Sequence, residues 1–380
     1  MPMHPLWQIR QIVTVGKDQH VDRCNNFGNR AGGAIFTSFA HLVVWIAVFI
    51  ILIIDLLSYC DDNFLWEFED CMVVYEPYNK LMPARQVRLL QLWDYLNILH
   101  EERKQVFGSP LTIIGFDVDP NQMTVTMPDQ SHDDLISAIR KFAVVGSRRP
   151  LRKFQSLAGW INWALNVYPL LRPGLSALYA KIAGKTHARE LVWVSVALVC
   201  ELTWLANHIE SSTGIHFLDS VAWDANDTDF IAFCDACPLG LAFWLPRSAV
   251  GFQYQVTSSP LHPDSIFFLE ALAIVSAIYH ASNLTQPSPR HLAIFTDNMN
   301  CVNMFSSLHA KPYYNPLLLT TIDLILSMSS CFRVFHIPGH RNRVADALSR
   351  FENTSARELV PGLSIASFQP PRLTLGAAQK

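Results

Sequence analysis

FIAFCDACPLGLAFWLP, residues 230–246, decides how the chain is read. Aromatic, β-branched and small residues run without a charge as far as Asp235. Pro238 to Gly240 then break the run, and apolar residues resume. That pattern predicts strand, turn, strand. Beyond it, FFLEALAIVSAIYHASNL (267–284) predicts a helix with Glu270 near its start, and HLAIFTDNMNCVNMFSSL (291–308) a strand that ends at Asp297 and enters a helix. CFRVFHIPGH (331–340) reads as another strand, and RVADALSRF (343–351) as a helix carrying Asp346. Short strands alternating with helices from about residue 217 give an α/β layout.

Four carboxylates therefore fall at element ends: Asp235, Glu270, Asp297 and Asp346. Each alone is as readily a helix cap or a surface charge. Together they can converge on one edge of a sheet, where they repel one another unless cations fill the site. Hard oxygen ligands favour Mg²⁺ or Mn²⁺, and a pair of such ions suits phosphodiester hydrolysis.

The segments FIAFCDACPLGLAFW, FFLEALAI, IFTDNMNCV and HIPGHRNRVADALSR, in that order, resemble the ribonuclease H domain attached to retrotransposon reverse transcriptases. The resemblance implies a five-stranded mixed sheet flanked by helices, cutting the RNA strand of an RNA/DNA hybrid with Mg²⁺ (or Mn²⁺). Its catalytic and metal-binding carboxylates match Asp235, Glu270, Asp297 and Asp346. The family's mobile-loop histidine matches His340, with His336 as the alternative because the loop before Asp346 is short. Asn298 and Arg343 are candidate contacts to the hybrid backbone, against a purely structural role.

Upstream, FGNRAGGAIFTSFAHLVVWIA (27–47) and DLLSYCDDNFLWE (55–67) are similar to a polymerase palm, with Gly28 in a turn near the template and Asp61 and Asp62 at a hairpin tip usually written YVDD. IIGFDVDPNQMTVTMP (113–128) resembles the next palm hairpin, and RKFQSLAGWINWALNVYPLLRP (152–173) the thumb or connection helices. The wording is closest to the tyrosine-recombinase-encoding retrotransposons of fungi, and the likeness covers about residues 4–352. MPMHPLWQIRQIV looks like the end of the phrase that follows the first catalytic aspartate of a polymerase, so that aspartate and the fingers are expected to be missing and the polymerase site incomplete. A catalytically inactive nucleic-acid-binding remnant is the competing expectation.

The fold class expected is α+β and α/β, multidomain: a partial reverse-transcriptase palm (1–145), a helical thumb or connection-like region (146–215), a ribonuclease H-like domain (217–352), and a linker or disordered tail (353–380). GSRRPLRK (146–153) reads as a basic linker whose Arg149 and Arg152 could track a nucleic-acid backbone. Trp160, Trp163, Tyr168 and Tyr179 sit at helix-core spacing, with base stacking as the alternative. A formal net charge of -3, from 29 basic and 32 acidic residues, neither announces nor excludes a nucleic-acid partner. No P-loop, G-x-G-x-x-G or G-x-S-x-G is present, so no small-molecule cofactor is expected.

Eight cysteines scattered through 380 residues, with no signal peptide, read as reduced thiols of an intracellular protein, cytoplasmic or nuclear. CDAC (234–237) is a single C-x-x-C pair and a poor zinc signature. AIFTSFAHLVVWIAVFIILII (34–54) is long enough to span a bilayer and carries only His41 as an ionisable group. It lacks basic anchors, and Trp45 is central instead of interfacial, so a buried helix is expected, with a membrane protein spanning at 34–54 as the remaining alternative.

Overall fold

The computed structural model describes residues 4, 6, 12–21, 32–216, 223–256, 265–284 and 289–372. The chain divides into two units, Met1–Ile113 and Ile114–Lys380. The boundaries expected near 145 and 216 both fall inside the second.

In the first unit Ile12–Val15 (β1) and Asp18–Val21 (β2) form an antiparallel hairpin. The apolar run folds as Gly32–Trp45 (α1) and continues as a π-helical turn over Ile46–Ile50. By length and composition residues 32–50 are able to cross a membrane. The expectation that this helix is buried is not met. Val43, Ala47, Ile53 and Leu56 form a small core with Leu89 and Leu92, while Phe36, Leu42, Trp45, Phe49 and Ile50 are exposed. The elements that follow are too short to cover more. They are Leu57–Tyr59 (β3), Asp62–Phe64 (β4), the hairpin Met72–Tyr75 (β5) and Lys80–Pro83 (β6), and Ala84–Tyr95 (α2).

The second unit opens with the expected hairpin, Phe116–Asp119 (β7) and Thr124–Thr126 (β8), then Asp129–Phe142 (α3). Pro128 stands at the N-cap of α3. The expected basic linker is a strand instead. Arg148–Pro150 (β9) runs into Leu151–Ala164 (α4) and pairs with Leu191–Trp193 (β10) in register Arg149↔Val192. Charge density hid a strand whose partner buries Val192. Ser176–Ile182 (α5) follows a 3-10 turn over Pro169–Leu175, and Val196–Ser211 (α6) is capped by Ser195, whose side chain accepts from the Leu198 N–H. Ile215–His216 (β11) pairs with β8.

The remaining elements build one mixed sheet. Phe230–Ala236 (β12), Gly240–Leu245 (β13) and Val250–Gln255 (β14) form an antiparallel meander. After Ser265–Ser282 (α7), His291–Thr296 (β15) lies parallel to β12; after Met299–Ser307 (α8) and Asn315–Met328 (α9), Cys331–His336 (β16) lies parallel to β15. Arg343–Ser349 (α10) follows. Of the expected linker or disordered tail, the described part, 353–372, is corrected here. Asn353–Leu359 (α11) and Ser364–Ser367 (β17) are ordered, and β17 pairs parallel with β14 as a sixth strand, in the order β16-β15-β12-β13-β14-β17. Its polar sequence concealed two gains: the open edge of β14 is covered, and Ala356 and Leu363 pack with Ala347 and Leu348. The molecule is thus α+β and multidomain, with a mixed sheet flanked by helices.

Helical region and sheet meet across α9. Glu201 on α6, only 5% exposed, accepts from the Ala177 N–H at 2.6 Å and from the Asn315 amide at 2.8 Å, and Asn315 also donates to the Pro173 carbonyl. Burial pushes the Glu201 carboxyl up to about 7, although both hydrogen bonds favour its charged form. With a raised folded pKa, the folded chain keeps a proton that the unfolded chain releases. That stability is complete below the ordinary value of 4.5 and is lost as pH rises through about 7. The Glu201→Gln variant is expected to show a flatter dependence of thermal midpoint on pH between about 5 and 8, by calorimetry. Equal slopes for variant and parent would remove Glu201 from this linkage.

Candidate metal centre

Alternation along β12 sends Ala232, Cys234 and Ala236 into the core shared with α7. On the opposite phase, Phe233 stacks on Phe295 of β15, ring centroids 4.8 Å apart, and the two residues are paired in register. Two positions further on, Asp235 and Asp297 emerge together at the same end of the parallel pair. Glu270 joins them from α7, where Thr296 Oγ1 lies 3.4 Å from its Oε2. Ligand atoms of Asp235, Glu270 and Asp297 all lie within 4.8 Å of one another, the one such group among the described residues.

The electrostatics follow from this crowding. Asp235 is 6% exposed, and burial pushes its carboxyl up to about 6, helped by Asp297 and Asp346 and opposed by a hydrogen bond from Ser349. Burial, then the Asp235 and Asp297 charges, push Glu270 up to about 8. One buried carboxylate, Asp235, and two half-buried ones, Glu270 and Asp297, form a hard, oxygen-only donor set, which fits a divalent cation such as Mg²⁺ or Mn²⁺. Cys234 and Cys237 are buried behind the site; burial raises the Cys234 thiol well above its usual value, and the Cys237 thiol donates to the Ser349 carbonyl. They are core residues.

The other expected residues are placed less uniformly. Asp346 lies outside the triad: its Oδ1 accepts from Arg350 Nε at 2.8 Å, one helical turn away. His340 is exposed in the turn Gly339–Arg341, His336 is exposed at the end of β16, and Arg343 is exposed at the start of α10. Asn298 caps α8, its side-chain oxygen accepting from the Asn300 and Cys301 N–H groups. Asp61 and Asp62 sit exposed at the β3–β4 tip, where Cys60 takes a left-handed backbone (φ 55°), and no metal-binding trio forms there among the described residues. Arg152 is exposed on α4, whereas Arg149 Nη2 donates to the Lys141 carbonyl. Gly28 lies outside the described residues.

Three supporting residues were missed in the sequence. Ser349 Oγ donates to Asp235 Oδ2 at 2.6 Å and is fully buried. Its one signal is its place three residues after Asp346 on a helix, which puts both on one face. Asn342, 1% exposed, ties the loop before α10 to β12 by donating to the Cys234 carbonyl. Gly339 passes so close that a Cβ there would sit 3.0 Å from Asp297 Oδ2.

No family model matches the chain, and no curated protein matches it. Among solved structures, a foamy viral protease-reverse transcriptase in complex with dsDNA is similar at TM-score 0.42 and 13% identity, covering 88% of this chain and 64% of that one. The chain thus spans less than two thirds of that protein. The RNase H1 of the halophilic archaeon Halobacterium salinarum is similar at TM-score 0.26 and 12% identity, over 32% of this chain and 98% of that one.

Residues that orient metal ligands typically contribute about 10- to 100-fold in metal affinity. Ser349→Ala is therefore expected to weaken Mn²⁺ binding by at least about tenfold in calorimetric titration near neutral pH. Gly339→Ala is expected to weaken it in the same direction by displacing Asp297. Wild-type affinity in both variants would show that neither shapes the site.

Proposed function

We propose that the chain derives from a retroelement reverse transcriptase and that its sheet region is a ribonuclease H-like endonuclease hydrolysing the RNA strand of RNA/DNA hybrids. The observation that carries this proposal is the convergence of Asp235, Glu270 and Asp297 at the carboxyl ends of the parallel strands β12 and β15. Asp235 and Asp297 would hold the cations, and Glu270 would bind metal and orient the attacking water. Bound Mg²⁺ or Mn²⁺ supplies charge to polarise the phosphodiester and to stabilise the leaving oxygen. Water adds at phosphorus, the P–O3′ bond breaks, and the proton lost by the water is balanced by the one gained at the 3′ oxygen. Asp346 would complete a second metal site by turning from Arg350, and the exposed His340 would assist product release. Asn298 and Arg343 would face the hybrid backbone. We assign no polymerase reaction to Asp61 and Asp62, and we place the protein inside the cell, in cytoplasm or nucleus, as the product of a tyrosine-recombinase-encoding retrotransposon.

A second reading, a nucleic-acid-binding remnant without turnover, is favoured by one contact: the Asp346–Arg350 pair, which occupies the fourth carboxylate. The two diverge in one assay. With a labelled RNA/DNA hybrid and Mg²⁺ or Mn²⁺, wild type is expected to cleave the RNA strand, and Asp297→Asn to reduce cleavage to background while keeping the circular dichroism of the parent. Cleavage unchanged in Asp297→Asn would remove the assignment; hybrid binding without cleavage by wild type would establish the remnant.

A further inference from the structure

Apart from the carboxylate triad, α7, α9 and the segment that follows β17 border a cleft of about 500 Å³, within the size range of small-ligand sites. Tyr279 of α7, Thr320 and Asp323 of α9, and Pro370, Pro371 and Arg372 line it. The tail wall is anchored just ahead of the cleft. Phe368 donates its N–H to the Gln253 carbonyl at 3.3 Å, and its ring packs on Phe243 with centroids 5.1 Å apart. Two prolines then fix the backbone of the wall, so binding against it costs little further entropy. Asp323 is held from α6: Trp204 Nε1 donates to its Oδ1 at 2.7 Å, and His208 Nε2 lies 2.8 Å from the same oxygen. A neutral imidazole donating there satisfies Oδ1 without cancelling the carboxylate charge, and Oδ2 has no protein partner among the described residues. One turn earlier on the same face of α9, Thr320 is 5% exposed and its hydroxyl has no partner. The exposed Arg372 forms no ion pair with Asp323 or any other carboxylate among the described residues. One cleft thus presents an anion and a cation that do not neutralise each other.

We propose that this cleft binds a small zwitterion with an apolar body, the chemistry a free aromatic amino acid presents. Its ammonium sits on Asp323 Oδ2, its carboxylate on Arg372, and its ring against Tyr279 and the proline wall. An amine alone leaves Arg372 unpaired and a carboxylate alone leaves Asp323 unpaired, so the two charges together select a ligand that carries both. The same carboxylate disfavours a phosphate-bearing ligand, which would bring like charge against it. The Thr320 hydroxyl gains a partner by a χ1 turn, since threonine in a helix divides between two rotamers. The proposal stands apart from the metal centre and survives if that centre proves inert.

The test uses the full chain near neutral pH. Isothermal titration calorimetry compares L-phenylalanine, which carries both charges, with phenethylamine, which carries the amine alone, and 3-phenylpropionate, which carries the carboxylate alone. Phenylalanine is expected to bind at least about tenfold more tightly than either analogue, because each lacks one charge-assisted contact. Arg372 is exposed, so Arg372→Ala removes charge without opening the core. That variant is expected to lose at least about tenfold in phenylalanine affinity and to hold phenethylamine within about twofold of the parent. Asp323→Asn keeps an oxygen for Trp204 and His208 while removing the charge, and is expected to weaken phenylalanine and phenethylamine but not phenylpropionate. Equal affinity for all three probes, or no binding of phenylalanine at millimolar concentration by the folded parent, would overturn the site. Phenylalanine affinity unchanged in Arg372→Ala would overturn its carboxylate half.

Discussion

Three carboxylates held within 4.8 Å of one another are the constraint on which the sheet region depends. Burial and mutual repulsion both oppose their ionisation and raise Asp235 and Glu270 above the usual carboxylate range, a cost that a bound cation would relieve. Parallel pairing of β12 with β15 fixes two of the three, because a slip of one residue would send either aspartate to the other face. The stacked Phe233 and Phe295 brace that register immediately before the acids.

The support around the triad is polar where it touches a ligand and apolar elsewhere. Ser349 favours the charged form of Asp235, Asn342 pins the loop before α10 to the strand that carries it, and Gly339 lets the loop pass against Asp297. All three come from the stretch 339–349, so one loop and one short helix position much of the site. Packing of α10 against β13, and of α11 and β17 beyond it, therefore bears on ligand geometry although no residue of α11 or β17 belongs to the triad.

Much of this was legible in the sequence wherever a single period governs. FIAFCD and HLAIFTD each run apolar up to an acid, so strand, end and ligand could be read together. Ser349 was not legible, because a hydroxyl in ADALS has no pattern until the fold sets it against Asp235. Charge misled at Arg148–Pro150 and polarity at Ser364–Ser367, since both strands are set by a partner far along the chain. The error at α1 is of another kind. Hydropathy measures the preference of Phe36, Leu42 and Phe49 for a nonaqueous contact; it does not supply a surface to meet it, and within its unit only the Val43 and Ala47 side is covered.

The two clusters in the Ile114–Lys380 unit carry opposite charges, and opposite charges demand different ligands. The acidic one is partly shielded, with Asp235 buried and Glu270 and Asp297 half-buried, so it suits a small hard cation that exchanges some of its water for carboxylate oxygens. The basic one, gathered from Lys141, Arg148, Arg149 and Lys153, is open to solvent and suits an anion that keeps much of its hydration. An oxygen-only donor set together with a separate basic cluster is the pairing that the metal-dependent nucleic-acid cleavage proposed above would draw on. Near-neutral overall charge is no obstacle to this, because the field a charged ligand meets is set by the residues gathered locally and not by the sum of 29 basic and 32 acidic residues.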